Sequence, residues 1–255
     1  MKKTAISGAI VSFILAACGG DGGGGGGNVG TSAAAAPAPT VNEAQGIYTG
    51  KDSSNDQIIG VILDSGAYYF VYVNSSTRAV GLVQGTSTVS GGTFKSTDAK
   101  NFYIGQNTVL NETVSANYTA KSNIAGTISP ASGGGVTTTF YGTYYSIYDQ
   151  APSLSSIAGT YTGAGGSVKG SEAVTVTLSA DGSISGRGPS GCTFTGTASP
   201  HSGKNVYDAT ITFGGSNCLY PGRSLTGMLT VAENQLFAAA PLADRSDAFI
   251  LVGSK

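Results

Sequence analysis

The stretch "GIYTG" at Gly46–Gly50 returns as "GTYTG" at Gly159–Gly163, 113 positions later. About the same length of chain remains after the second copy, so the sequence from Gly46 onward divides into two units, 46–150 and 151–255, and is read as an internal duplication. The second unit can be cut into short apolar-alternating runs at Thr160–Thr162, Ala173–Ser179, Ser183–Arg187, Thr193–Ala198, Val206–Phe213, Ser224–Val231, Gln235–Ala239 and Ala248–Val252. Turn signals separate them: "ADGS" at Ala180–Ser183, "SGKN" at Ser202–Asn205, "AEN" at Ala232–Asn234 and "ADRSD" at Ala243–Asp247. Connections this short make neighbours antiparallel and give a meander. The first unit divides likewise, at Gln57–Leu63, Ala67–Val73, Val80–Val89, Thr93–Lys95, Asn101–Ile104, Thr113–Thr119, Ile124–Ser129 and Thr137–Ser146.

Composition agrees with an all-β chain: 40 glycines, no tryptophan, only 11% charged residues and no amphipathic helical stretch of any length. A recurrent motif, apolar–small–Gly–any, often followed by another apolar residue, appears as "IAGTI" from Ile124, "IAGTY" from Ile157, "FTGTA" from Phe194 and "LTGML" from Leu225. Glycine within a strand marks a sharp bend or coil, and small closed meanders need such bends. The expected fold is therefore all-β, with two consecutive antiparallel meander β-barrels of about eight strands each. At this level the chain resembles the lipocalin and avidin barrels and the barrel domains of transferrin-binding-protein-like surface lipoproteins. It departs from the first two at the Gly–Trp pair that opens them, where Tyr48 and Tyr161 stand instead.

Ahead of the barrels lies an export signal. Lys2 and Lys3 form a positive n-region and Thr4–Phe13 a short apolar h-region running into small residues. The run is shorter than the roughly 20 residues of a spanning helix. "LAAC" at Leu15–Cys18 resembles the lipobox of bacterial lipoproteins, which implies cleavage of residues 1–17 and lipidation of Cys18. Two or more acyl chains anchor a protein stably where one does not. In lipoproteins of enteric bacteria an aspartate after the cysteine retains the protein at the inner membrane. Gly19 stands there, so the resemblance implies the outer membrane, at its periplasmic face or at the cell surface. Residues 18–45, with polyglycine, Ala33–Ala36, Pro37 and Pro39, offer little to bury and read as a disordered tether. A coil from Gly19 to Gln45 has an end-to-end distance of roughly 30 Å and a reach of about 90 Å. Similar polyglycine runs follow the lipidated cysteine in several surface-displayed bacterial lipoproteins.

The remaining cysteines, Cys192 and Cys218, are expected to form a disulfide in such an oxidising compartment. Two cysteines and the single His201, in the turn-like "SPHSGKN", are too few for a zinc site, and no cofactor motif is present. No GxSxG elbow or phosphate loop occurs, and Asp244 and Asp247 flanking Arg245 read as a solvated hairpin tip, so no catalytic residue is assigned. Loss of Lys2 and Lys3 leaves 11 basic against 14 acidic side chains, a balance of −3 that gives nucleic acid no basic patch. Ten of the thirteen tyrosines lie between Tyr48 and Tyr148. "YYFVY" at Tyr68–Tyr72 and "FYGTYYSIY" at Phe140–Tyr148 put bulky groups on both strand faces, where a strand with one solvated face would alternate. Either one face fills the barrel and the other packs on the second unit, or Tyr68, Tyr69, Tyr72, Tyr144 and Tyr145 form a binding surface or cavity mouth. The expected function is a lipid-anchored, non-enzymatic binding or adhesion module meeting an extracellular or envelope protein. The alternatives are a carrier of a small apolar ligand in a barrel kept open by small residues, and a structural envelope component.

Overall fold

The alternation of apolar and polar residues in the two repeats is realised as seventeen strands. The computed structural model describes residues 42–255; the signal peptide, Cys18 and most of the expected tether lie outside them. The first repeat contains β1 (Gly46–Asp52), β2 (Gln57–Ile62), β3 (Ala67–Val73), β4 (Val80–Thr86), β5 (Thr88–Ser90), β6 (Thr93–Tyr103), β7 (Thr108–Thr119), β8 (Asn123–Pro130) and β9 (Thr138–Tyr144). Pairing of β1 with β9 and of β4 with β6 closes an antiparallel ring of eight strands, leaving the short β5 as a flap on β6. After a 3-10 turn at Ser146–Asp149 and the one-turn helix α1 (Leu154–Ile157) comes the second repeat. Its strands are β10 (Gly159–Ser167), β11 (Gly170–Leu178), β12 (Ser183–Arg187), β13 (Thr193–His201), β14 (Lys204–Phe213), β15 (Ser224–Ala232), β16 (Gln235–Pro241) and β17 (Ala248–Ser254). They form a closed barrel in sequence order. The fold is thus two consecutive eight-stranded antiparallel β-barrels.

The repeated pentapeptide opens each barrel in the same way. Tyr48 and Tyr161 point inward and are buried, and each hydroxyl donates to the carbonyl four residues earlier, Tyr48 to Ala44 at 2.9 Å and Tyr161 to Ile157 at 2.6 Å. Gly50 and Gly163 lie at the closing seams. A Cβ on either would collide with the backbone of the strand opposite, at Tyr141 O and Val252 O. The motif glycines Gly126, Gly196 and Gly227 meet neighbouring backbone too, at Ser115 O, Thr210 O and Ala239 O, so neighbouring backbone comes too close at these positions for a side chain. At the "AEN" turn, Glu233 and Asn234 both take positive φ, 53° and 63°, as a two-residue hairpin of the primed type requires.

Several strands differ from the sequence reading: β1 is absent from the runs drawn for the first unit, β10 runs on to Ser167 rather than ending at Thr162, and two runs of the first unit are cut differently. Thr93–Lys95 and Asn101–Ile104 belong to one strand, β6, whose pairing with β7 slips between Ser96 and Ala99; the polar "STDAK" is a bulge rather than a turn. Val80–Val89 instead breaks at Ser87, which leaves the ladder to donate its N–H to Gly66 O at 2.8 Å and its hydroxyl to the same oxygen at 2.9 Å.

Three apolar clusters result. One fills the first barrel, with Tyr48, Tyr68, Phe70, Phe94 and Phe140, and one fills the second, with Tyr161, Phe194, Tyr207, Phe213 and Phe249. The third lies between the barrels. It joins outward-facing Ile59, Val61, Tyr69, Val71 and Phe102 of the first to Met228, Phe237, Ala239 and Ile250 of the second. Strands β3, β16 and β17 are therefore apolar on both faces because both faces are covered.

Candidate functional site

The pairing registers bring one set of connections to a common end of each barrel. In the second barrel these follow β10, β12, β14 and β16, and Phe194, Phe213 and Phe249 sit on the inward face just inside that mouth. Their ring centroids are 5.1 to 5.7 Å apart in edge-on and tilted arrangements, forming an aromatic floor. Above it opens a cavity of about 230 Å³, walled by these rings, Val174, Leu219 and the glycines Gly165, Gly166 and Gly170. Leu219 is a large apolar side chain left 42% exposed at the rim.

The polar groups are few and fixed. Glu172 accepts from the Ser190 N–H at 2.9 Å and from its hydroxyl at 2.8 Å, which ties the β12–β13 connection to β11. Cys192 and Cys218 form the expected disulfide, joining that connection to the one between β14 and β15, and Cys192 itself lines the cavity. The bond braces two loops of the mouth. Gly170 occupies open space, with no atom within 4 Å of where a Cβ would be, and the alternation of β11 aims that position inward.

The five singled-out tyrosines do not make an exposed patch, which corrects the expectation of a binding surface, while Tyr72 lines a cavity at one end of the first barrel. Tyr68 is fully buried in the first barrel and donates to Ser96 Oγ at 2.9 Å. Tyr72 also points inward, donating to Asn101 Oδ1 at 2.9 Å. Tyr69, on the opposite face of β3, is buried between the barrels. Tyr144 stacks edge-on with Tyr48 and donates to Asp149 Oδ2 at 2.8 Å, and Tyr145 is half-buried beside the joint. For the three on β3 the physical reason is that both faces of the strand are covered, one by the barrel interior and the other by the second barrel. The exposed tyrosine of the same segments is Tyr141, at 54%.

Polar residues of the joint were the least legible. His201 bridges the barrels, with Nδ1 2.8 Å from Asp208 and Nε2 3.1 Å from Asp64. Burial alone would lower its pKa, but hydrogen bonds to the two carboxylates, and their charges, raise it. Asp149 accepts from Lys121 at 2.8 Å and Lys204 at 2.9 Å, which hold its carboxyl well below the usual range. The "ADRSD" tip is not the solvated turn expected. Arg245 reaches the first barrel, donating to Gln84 O at 2.6 Å, Asp98 O at 2.7 Å and Asp98 Oδ2 at 3.1 Å, while Asp247 is buried.

The sequence reading missed the three phenylalanines of the mouth. Their signal was present: each lies near the strand end that a meander brings to the same side. Among the described residues no three His, Cys, Asp or Glu side chains converge as metal ligands. Comparison with family models, with curated proteins and with solved structures gave no match to this chain.

Proposed function

We propose that this protein is a lipid-anchored binding protein of the bacterial envelope that takes a small apolar ligand into the mouth of its second barrel, without chemistry on it. The observation that carries the reading is the aromatic-floored cavity of about 230 Å³ in the end of a closed barrel, kept open by glycines on its wall. Ligand sites are concave, mostly apolar and furnished with a few fixed polar groups, here Glu172, Ser190 and Asn217 at the rim. The volume lies below the range of roughly 300–1,000 Å³ typical of drug-sized ligands, so the occupant is small. Anchoring rests on the lipobox resemblance at Cys18.

The test fills the cavity. Gly170→Phe places a ring in open space and should abolish binding of a small fluorescent apolar probe, with stability changed by no more than about 0.5 kcal/mol. Equal probe binding by variant and wild type would remove the site. For the anchor, a fatty-acid analogue should label the wild type and leave Cys18→Ser unlabelled; equal labelling refutes lipidation.

A second reading, contact with an extracellular or envelope protein through the first barrel, is favoured by one observation. Leu110, Val136 and Tyr141 of that barrel are large apolar side chains left 42%, 85% and 54% exposed. Protease treatment of intact cells tests it, since digestion of the barrels requires display at the cell surface.

A further inference from the structure

A recess of about 370 Å³ opens at one edge of the joint, and both barrels contribute to its lining. Its apolar part joins Ile59 and Val71, from β2 and β3, to Phe237 and Val252, from β16 and β17. Gln57, at the start of β2, and Gln235, at the start of β16, add one amide from each barrel. Two charges of opposite sign complete it: Arg78 from the β3–β4 connection of the first barrel and Glu233 from the β15–β16 turn of the second. Small-molecule sites favour such places, apolar recesses between domains with a few polar groups on them.

These two charges differ from the rest of the joint. Elsewhere, charged and titratable side chains that face across it close on each other: Lys204 on Asp149 at 2.9 Å, His201 on Asp64 at 3.1 Å and Arg245 on Asp98 at 3.1 Å. Arg78 and Glu233 border one cavity yet make no ion pair, with each other or with any other described residue. Their backbones are fixed. Both take positive φ, 61° and 53°, a region that glycine or asparagine ordinarily occupies. The Arg78 N–H donates to Asn74 O at 3.0 Å, Asn74 Oδ1 accepts from the Ser76 and Thr77 N–H groups at 3.1 and 2.8 Å, and Asn74 Nδ2 donates to Asp56. Glu233 sits in a two-residue hairpin whose flanks, Ala232 and Gln235, are paired. A cation and an anion kept apart on one cavity leave room for a molecule that carries both charges.

We propose that this recess binds a small apolar zwitterion of dipeptide size, its carboxylate on Arg78, its ammonium on Glu233 and its side chains on Ile59, Val71 and Phe237. A guanidinium takes a carboxylate through two parallel hydrogen bonds, and a carboxylate takes an ammonium through a charge-assisted one. Length selects the dipeptide over the free amino acid. Arg78 and Glu233 do not reach each other, and two residues of extended chain span about 7 Å, whereas the charges of an amino acid flank a single carbon. The amides of Gln57 and Gln235 supply donors and acceptors for the peptide group between the charges. The volume falls within the range of roughly 300–1,000 Å³ usual for small-molecule sites.

The experiment uses the full chain and one dipeptide in three charge states: leucylphenylalanine with both charges, its amide with the ammonium alone, and its N-acetyl form with the carboxylate alone. Calorimetry at neutral pH should show saturable binding of the zwitterion at least tenfold tighter than of either capped form, a readout that depends on no variant. Arg78→Gln should weaken the zwitterion at least tenfold and leave the amide unchanged. Glu233→Gln should weaken it as much and leave the N-acetyl form unchanged. Equal binding of the three forms, no binding, undiminished zwitterion affinity in either folded variant, or equally tight binding of free leucine would each overturn the proposal. So would thermal unfolding without ligand in which the double variant loses less than the sum of the single losses, because Arg78 and Glu233 would then pair with each other. Gly170→Phe should leave this binding unchanged, which separates the site from the apolar one in the second barrel.

Discussion

His201 is the single histidine of the chain, and it lies between two carboxylates from different barrels, Asp64 and Asp208. Its pKa is raised above the usual 6.5 because hydrogen bonds and charge from both partners outweigh burial. A raised folded-state value means stabilisation that is complete below about pH 6.5 and disappears as pH rises through the folded value. His201→Gln should therefore lower the melting temperature relative to wild type most near pH 6, and the gap should shrink toward pH 9. A gap independent of pH would show that the imidazole acts by shape alone. Asp149 works in the other direction. Its carboxyl is held low by Lys121 and Lys204, so that contribution is present at neutral pH and fades only in strong acid. Neither role could be read from the sequence, where "SPHSGKN" and "SIYDQ" look like surface turns; their partners lie 137 residues away for His201 and 55 for Asp149 with Lys204.

At the scale of the element, the duplicated strand pair is what the sequence states most clearly. "GIYTG" and "GTYTG" carry both the buried tyrosine whose hydroxyl returns to the chain four residues back and the glycine that permits closure. Turns with positive-φ residues, such as Glu233–Asn234, were legible because local chemistry sets them. The bulge in β6 was not, since "STDAK" has the composition of a loop and stays in the strand only through pairing with β7 and through Asp98, which accepts from Ser96 and the Thr86 N–H. The disulfide was legible from compartment and count, but its place was not: it braces the loops around the apolar cavity. Closing 26 residues contributes about 3 kcal/mol in the loop-entropy account. Replacing Cys192 and Cys218 together by Ser should lower the unfolding free energy by that amount, with a slope that rises as the denatured chain loses its cross-link, and loosen retention of an apolar probe. A loss under about 0.5 kcal/mol, with probe release unaltered, would mean the loops are held by Glu172 and Ser190 instead.

For the molecule as a whole, strand number and closure followed from the repeat, while the relation between the barrels did not. "YYFVY" admits either a binding face or a packed one, and periodicity cannot separate them because both call for apolar residues. The resolution is in Tyr69 and Val71, which meet a face of the second barrel built from Met228, Phe237, Ala239 and Ile250. The contact is apolar at its centre, and polar links surround it: His201 to Asp64, Lys204 to Asp149, Arg245 to Asp98, and the N–H groups of Gly105 and Asn107 to Ser167 O and Val168 O. Joints between domains that move are more polar than this. The barrels should accordingly unfold as one cooperative unit. Inserting a protease site at Gln150–Ala151 and cutting it should leave both halves together through size exclusion, with a single thermal transition. Tyr69→Asp, which buries a charge without a partner in the joint, should split that transition or release the halves after cutting. The second barrel produced alone should associate with itself, because Met228, Phe237 and Ile250 lose their cover. Two independent transitions in the uncut wild type, or a monomeric and fully stable second barrel, would show that the joint is a mere contact and that each repeat folds for itself.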